Sequence, residues 1–262
     1  MHEFALAGVQ LKAANDFGSY QTDGRYVGSA PGAHELDLEE DVFGAVRLLR
    51  RGQVALLAPI IETWRQTTSD GGHFGGGIGD VNLSARYDFV VAGESLYVPG
   101  IALLAGVTAP TGKPSESATA KLAVDATGIG AWQANVALAL EQTFGPWLVN
   151  ATGIVAKRTA RFGETLGTQV TFLAAGAYNF PNDAALALSV SYAFEGDATA
   201  SGGNDVPFSS KRLTTVNLSL LWPLTDHLRL LGGVFVEPPV HYLGSNQPSG
   251  SGLTLTVIFS WS

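Results

Sequence analysis

The sequence contains no cysteine, so neither a disulfide framework nor thiolate chemistry is available to this chain. Charged residues are also scarce, at 15% of the 262 residues, against roughly 25% in soluble domains. The formal net charge of −8 argues against a nucleic-acid-binding protein, which would carry a basic stripe. The longest uncharged stretches, 95–112 and 165–182, are broken by Gly, Pro, Asn and Gln. Neither stretch is therefore predicted to form a membrane-spanning helix, which needs ~20 mostly apolar residues.

A signal peptide is missing as well, because Met1-His2-Glu3 has neither a basic segment nor an apolar one. This predicts either a cytoplasmic protein or a mature exported chain from which the leader has been removed. Capped helical runs are absent from the pattern, whereas glycine is abundant, with 32 residues. The chain is therefore predicted to be built from strands and turns.

The dominant signal is an alternation of polar and apolar residues with a period of two. It is clearest over 80–89, over 132–141 and over 253–262. Alternation over eight or more residues is typical of strands with two different faces. Twelve such segments are predicted, at 4–14, 35–49, 54–68, 79–90, 97–109, 128–142, 147–158, 165–179, 184–195, 211–222, 228–236 and 252–262.

The connections between these segments alternate in length. Short turns are predicted at 50–53, 91–95, 143–146, 180–183 and 223–227, and long polar loops at 15–34, 69–77, 112–127, 159–164, 196–210 and 237–251. This rhythm is typical of bacterial outer-membrane barrels, with short turns in the periplasm and long loops outside. The prediction is an all-β protein: a single-domain, twelve-stranded antiparallel transmembrane β-barrel over 1–262. Whether loop 112–127 folds into the barrel is left open.

The two faces of the predicted strands support a barrel in a membrane. One parity carries large apolar residues, and the other carries small and polar ones instead of the Lys and Glu of a soluble sandwich. Pro59 has no N–H for a ladder, so a bulge is expected there. Aromatic residues cluster at strand ends, which favours interfacial girdles over ordinary core packing. The predicted periplasmic girdle is Tyr87, Phe89, Tyr97, Phe144, Trp147, Tyr178, Phe180, Trp222 and Trp261; the outer one is Trp64, Trp132, Tyr192 and Phe194.

Short motifs between 77 and 112 resemble a known family. They are Gly77-Ile78-Gly79-Asp80-Val81 with Ala85-Arg86-Tyr87, Pro99-Gly100-Ile101-Ala102-Leu103, and Ala109-Pro110-Thr111-Gly112. The chain resembles here the outer-membrane family labelled "MetA-pathway of phenol degradation". The resemblance implies a barrel that works as a transporter or channel, for aromatic or other small hydrophobic compounds. It implies no catalytic residues. One departure is that Trp261 is penultimate, whereas many outer-membrane chains end on an aromatic residue.

Motifs for catalysis or cofactors are scarce. The glycine run 75–79 precedes a strand pattern, so a flexible extracellular loop is favoured over a phosphate-binding loop. The five histidines lack metal-ligand spacing, and the prediction is no metal, no cofactor and no catalytic residue. Two alternatives stay open: His34, His73 and His241 could meet among the outer loops, and a Ser-His-Asx barrel enzyme is conceivable.

Polar and charged residues of the inward parity are predicted to line the lumen: Asp37, Glu39, Asp41, Arg47, Arg86, Asp88, Gln133, Asn135, Glu141, Gln169 and Arg229. Together with Glu35, the first three form an acidic ladder near the outer mouth with no evident partner, so a role in selecting solutes is favoured. For any single charge, pairing across a folded polar interior is the alternative.

The function predicted from these features is a non-enzymatic outer-membrane channel for passive uptake of small solutes. One alternative is a transporter for small hydrophobic or aromatic compounds, with lateral passage or an apolar pocket built from Leu148, Ile154, Leu173 and Leu221. Another is a barrel enzyme or a closed structural barrel. The expected partners are membrane lipids, lipopolysaccharide and small solutes, without nucleic acid. The oligomeric state is open, with a monomer as the working expectation.

Overall fold

The computed structural model describes residues 4–95 and 97–261, so the predictions for Met1-His2-Glu3 and for Ser262 lie outside the described residues. Twelve long strands carry the period-two pattern. They are β1 (Ala5–Tyr20), β2 (His34–Leu49), β3 (Gly52–Gln66), β4 (Val81–Val90), β5 (Gly100–Ala109), β6 (Gln133–Phe144), β7 (Trp147–Arg158), β8 (Gln169–Asn179), β9 (Ala185–Glu195), β10 (Lys211–Pro223), β11 (Leu228–Val236) and β12 (Gln247–Trp261).

Each strand pairs antiparallel with the strands before and after it in the chain. The ladder closes because β1 also pairs with β12, from Ala5 opposite Trp261 to Tyr20 opposite Gln247. The twelve described strands thus form a closed barrel, and the predicted all-β, twelve-stranded antiparallel architecture is confirmed. Closure satisfies the backbone of a strand from both sides, which is what an apolar solvent requires of a sheet.

Connections of two kinds alternate around the barrel, as predicted. Five short ones, beginning after Leu49, Val90, Phe144, Asn179 and Pro223, share one end, here called the turn end. The opposite end, here called the loop end, carries the long connections and two short 3-10 turns, Ser115–Ser117 and Lys121–Ala123. None of the helices among the described residues has the length and apolar character needed to cross a membrane.

The two faces of the barrel differ in composition, because successive side chains of a strand point to opposite sides. On β12, Leu255 faces outward and is 44% exposed, whereas the neighbouring Thr256 faces inward and is 3% exposed. Large apolar side chains such as Leu188, Val190 and Leu218 are exposed on the outer face. This is the reverse of a soluble fold, in which such residues would be covered.

Aromatic rings lie together near the turn end, where the first girdle was predicted. Tyr178 contacts both Trp147 and Phe180 edge-to-face, with ring centroids 5.0 Å apart in each pair. Tyr87 contacts Phe89 in the same way at 5.1 Å. The pattern repeats from strand to strand because these rings lie at or next to the strand ends that border the short connections.

Several predicted boundaries were wrong at the loop end. Half of the predicted loop 15–34 is strand, since β1 continues to Tyr20 and pairs with Tyr26–Gly28. The predicted loop 69–77 contains the strand His73–Ile78, which pairs with the loop-end half of β3. At the other end, β5 begins at Gly100 rather than at 97. The strand extensions were not recognised because they consist largely of glycine and polar residues. They lie beyond the alternating apolar positions from which the strands were predicted.

The bulge predicted at Pro59 is absent from this described part of β3, since Pro59 stays in register opposite Asp41. The partner strand is interrupted instead. β3 pairs with β4 as far as Leu57 and with His73–Ile78 from Ile60 onward. Gly79 N donates to Pro59 O at 2.8 Å, so the missing N–H of Pro59 lies at this break in the ladder. The proline therefore fits the sheet at a point where the neighbouring strand changes.

Candidate functional site

An acidic stripe runs down the inner face of β2 at the loop end. Glu35, Asp37, Glu39 and Asp41 alternate with outward residues such as Leu36 and Leu38, which are exposed. The predicted ladder of carboxylates therefore exists as a geometric feature. With Asp16 of β1 and Glu237, which follows β11, these residues are here called the acidic wall.

The expectation that the ladder lacks partners was wrong, because the strands on either side supply them. Arg65 of β3 pairs with Glu35, and Thr63 Oγ1 donates to Asp37 at 2.6 Å. Lys12 of β1 pairs with Glu39 at 3.0 Å, and Gln10 Nε2 donates to Asp41 at 3.3 Å. Asp41 is only 7% exposed, and its Oδ1 has no hydrogen-bond partner among the described residues.

The partners neutralise the acidic wall only in part. Among the described residues, its six carboxylates face two cations, Lys12 and Arg65, which leaves a formal excess of four negative charges. Carboxylate oxygens of Asp16, Glu35 and Asp37 lie within 4.8 Å of one another, at a distance where like charges repel strongly. The excess charge is therefore concentrated on one side of the lumen.

Four residues of the acidic wall border a cavity of about 330 Å³ at the loop end: Asp16, Asp37, Glu39 and Glu237. Its apolar lining includes Phe235, over whose ring Lys12 Nζ sits at 5.7 Å from the centroid. Glu237 closes the cavity from the end of β11, and it accepts a hydrogen bond from Gly250 N at 2.9 Å. Burial raises the pKa of Glu237, while the Gly250 N–H and the charge of Lys12 act in the opposite direction.

The connection between β5 and β6, residues 110–132, folds inward and lies against the acidic side of the lumen. This connection is here called the inner segment. Arg65, while paired with Glu35, also donates from Nη1 to Leu122 O at 2.5 Å. Val124 is 1% exposed, and Ala126 lines the cavity together with Lys12. The question left open for loop 112–127 is thus answered: it folds into the mouth of the barrel.

Glycines make this approach possible. Thr63 and Ile61 face inward and pair with Gly75 and Gly77, so these two glycines also face the lumen. A Cβ at Gly75 would lie 2.8 Å from Val124 Cγ2, which is closer than any real side chain allows. The glycine run predicted as a flexible loop is therefore a strand whose bare inner face receives the inner segment.

A second polar cluster lies on the opposite side of the barrel, also at the loop end. Arg158 of β7 donates from Nε to Gln133 and from Nη2 to Gln169, each at 2.8 Å, and pairs through Nη1 with Glu195. The side chains of Arg158 and Glu195 are 8% and 11% exposed. This group, here called the opposite cluster, is formally neutral and well satisfied by hydrogen bonds.

A third cluster lies towards the turn end. Arg86 pairs with Asp88 at 2.8 Å and with Glu141 at 2.9 Å, and Asn150 donates to Glu141 at 3.3 Å. Arg47 donates from Nη1 to Arg50 O at 3.1 Å, next to the turn between β2 and β3. Arg229 pairs in register with Pro223 at the same end.

The other singled-out residues are dispersed. Asn135 faces inward next to Gly106, whose added Cβ would lie 3.0 Å from Asn135 Oδ1. Of the loop histidines, His241 accepts a hydrogen bond from Tyr26 N at 3.0 Å, and His73 contacts Asp70 at 3.3 Å. These separate partners give the two histidines structural roles in different loops.

Sequence reasoning missed four charged residues of these clusters: Lys12, Asp16, Arg65 and Arg158. Each lies on the inward parity of its strand, so parity alone would have pointed inward. The sequence did not reveal their partners, because pairing depends on the register between residues that are up to 37 positions apart in the chain, as for Arg158 and Glu195. No single strand contains that information.

Comparison with solved structures gives the same architecture. The chain superposes on an outer membrane channel of Pseudomonas putida F1 with a TM-score of 0.81 and 14% identity, covering 100% of this chain and 96% of that one. It also matches the translocator domain of the autotransporter NalP from Neisseria meningitidis, with a TM-score of 0.53, 10% identity and coverage of 99% and 90%. The β domain of the Bordetella autotransporter Brka matches with a TM-score of 0.53 and 11% identity, covering 99% of this chain and 100% of that one.

At these identities the likeness is evidence for the fold of an outer-membrane barrel and for nothing finer. No family model matches the chain, and no curated protein matches its sequence. The resemblance of the motifs in 77–112 to the phenol-degradation family therefore stays a prediction.

Proposed function

We infer that the protein is an outer-membrane channel through which small solutes pass passively, with a preference for cations. The observation that carries this is the reversal of the two faces: an apolar outer surface encloses a lumen lined with charge. Such a barrel is stable only with lipid around it and a polar medium inside. A lumen whose charges run along its wall supports transport rather than catalysis.

The outer surface fits a bacterial outer membrane and its lipids, including lipopolysaccharide. Exposed outward residues such as Val9, Leu83 and Phe172 give a continuous apolar belt. The rings of Trp147 and Tyr178 mark the turn-end border, as expected for side chains that favour the membrane interface. The likeness to an outer membrane channel of Pseudomonas putida F1 supports the same location.

The preference for cations follows from the acidic wall. Its formal excess of four negative charges stands at the mouth, where every permeating ion must pass it. At the turn end, the cations of Arg47 and Arg229 accompany the Arg86 cluster. Carboxylates in a narrow lumen concentrate cations and repel anions, and this field weakens as salt screens it.

Planar-bilayer recordings test the proposal. The wild-type protein should form conducting pores, and in a KCl gradient its reversal potential should lie on the cation side. The combined variant Asp37→Asn, Glu39→Gln and Asp41→Asn lowers the formal excess from four negative charges to one. Its reversal potential should move towards zero, while unheated samples still migrate as folded barrels on SDS gels.

Glu40→Gln is the matched control. Glu40 lies between Glu39 and Asp41 on β2 but faces outward, so its replacement should leave selectivity unchanged. A wild-type protein that never conducts would refute the channel function. Unchanged selectivity of the triple variant would place the acidic wall outside the path of the ions.

A further inference from the structure

The inner segment is attached to the barrel wall through Asp80. This residue stands in the break between His73–Ile78 and β4, and its carboxylate holds both ends of the inner segment. Oδ1 accepts a hydrogen bond from Gly112 N at 2.9 Å, and Oδ2 accepts one from Ile129 N at 2.7 Å. Hydrogen bonds to an ionised carboxylate are roughly twice as strong as neutral ones.

The residues around Asp80 fix its position and leave room for the inner segment to approach. Thr111 Oγ1 donates to Gly79 O at 2.6 Å and accepts from Val81 N at 3.0 Å, which fixes the chain on both sides of Asp80. A Cβ at Gly128 would collide with Asp80 Oδ1. Only glycine therefore lets the returning chain pass so close to the carboxylate.

Between these ends the inner segment is a unit of its own. Lys113 O accepts hydrogen bonds from Thr127 N at 2.7 Å and Gly128 N at 3.1 Å, and Lys113 N donates to Thr127 Oγ1 at 3.0 Å. The Lys113 ammonium also pairs with Asp125. Thr127 Oγ1 also donates to Ile78 O at 2.8 Å, and Arg161 pairs with Glu116 at 2.9 Å, so Asp80 holds the base of the segment together with these contacts.

We propose that Asp80 is a positioning residue that sets the effective width of the pore, by holding the inner segment in a fixed place in the loop-end mouth. The inference rests on the proposed channel function. The segment occupies part of the mouth and touches the acidic wall through Arg65, so its position decides how much of the cross-section is open. Releasing its base widens the opening and makes it fluctuate.

Asp80→Ala should raise single-channel conductance, increase open-channel noise and admit larger neutral poly(ethylene glycol) molecules than the wild type does. Asp80→Asn keeps one acceptor and loses the charge, so its values should fall between the two. Glu39→Gln is the control for charge, because it removes a carboxylate from the same half of the lumen without touching the inner segment. It should shift selectivity and leave the polymer limit unchanged.

A tether separates release of the segment from general damage to the fold. The chain has no cysteine, so Gly75→Cys with Val124→Cys introduces the only possible disulfide. Val124→Cys removes the Cγ2 atom that an added Cβ at Gly75 would meet at 2.8 Å, and the two Cβ atoms then lie within the range of a disulfide bond. Oxidation of this pair in the Asp80→Ala background should restore the wild-type conductance and polymer limit, and reduction should abolish the rescue.

The rate of disulfide formation gives a readout that needs no current. It should be several-fold slower in the Asp80→Ala background than in a chain that keeps Asp80. Equal rates, an unchanged polymer limit or a smaller conductance in Asp80→Ala would each overturn the positioning role. If the wild type fails to conduct while the rates differ as expected, the channel function is refuted and the attachment by Asp80 stands.

Discussion

The two sides of the loop-end lumen differ in how their charged side chains are paired. On one side, the acidic wall gathers more carboxylates than cations, and its ion pair Lys12–Glu39 stays 39% and 31% exposed. On the other, the opposite cluster balances one cation with one anion and two amides, nearly out of reach of solvent. A neutral and satisfied network stabilises the barrel, whereas an excess of partly hydrated charge is available to a passing solute.

The inner segment is attached on both sides of the mouth, because Arg161, in the connection after β7, pairs with Glu116 and donates to Ile129 O. Arg65 links it to Glu35, and Asp80 holds its base on the adjacent strand. On the acidic side, these attachments lie next to the excess of negative charge. The other half is lined by small residues such as Ser189, Ser191 and Ala193.

The largest effect is expected from breaking the opposite cluster. Arg158→Met leaves Glu195 buried without its cation, which should lower the free energy of unfolding by about 3–5 kcal/mol. Lys12→Met leaves Glu39 partly hydrated and should cost no more than about 1 kcal/mol. Equilibrium unfolding of vesicle-inserted protein in urea measures both. Adding Glu195→Gln to Arg158→Met should recover part of the loss, and equal costs for the two walls would contradict the assigned roles.

A smaller effect is expected on ion selectivity. Here variants of the acidic wall should have a larger effect than variants of the opposite cluster. Neutralising the whole opposite pair with Arg158→Gln and Glu195→Gln removes no net charge, so the reversal potential in a KCl gradient should stay in place. Glu39→Gln alone should move it towards zero. Because the Debye length falls from ~10 Å at 0.1 M to ~3 Å at 1 M salt, the difference should shrink at high salt. A difference that persists in full at 1 M would show that contact, not field, selects the ions.

The smallest effect concerns pH and the inner segment. Lys113 above all, with the N–H groups of Thr119 and Ala120, holds the pKa of Asp125 well below its ordinary value. A carboxyl with a lowered pKa contributes stability that is present above its unfolded pKa of ~4 and is lost as the pH falls towards its folded pKa. Open-channel noise should therefore stay constant from pH 7 to about pH 5 and rise only below about pH 4. Asp125→Asn should be noisier at pH 7 and lose this dependence.

The number and order of the strands were predictable because the apolar outward parity gives a strong local signal. Leu253, Leu255 and Val257 alternate with Thr254 and Thr256 whatever the rest of the chain does. The loop-end extensions were not predictable in this way. His73–Ile78 has glycine at three of its six positions, so its residues show no clear alternation of polar and apolar side chains. Its strand is specified by the segment that packs against it.

The site was half predictable for a related reason. Asp37, Glu39 and Asp41 indicate a polar inner face, but the strength of their field depends on Lys12 and Arg65, which only the register brings beside them. The sequence left open whether the inner segment folds inward, because its anchor joins Asp80 to Gly112 and Ile129 through backbone N–H groups. Backbone donors leave no trace in side-chain composition.

The seam between β1 and β12 is an ordinary contact of the ladder: Ala5 faces Trp261, and the register runs on to Tyr20 and Gln247 with one shift near Asp16. It differs from the other eleven contacts only in joining the most distant parts of the chain. A circular permutant could be opened at the Gly145-Pro146 turn, with a short linker joining β12 to β1. It would form the same barrel, but β12 and β1 would then be neighbours in the chain and would pair as a local hairpin. Since local contacts form faster than distant ones, the slow step of barrel closure would move to β6 and β7.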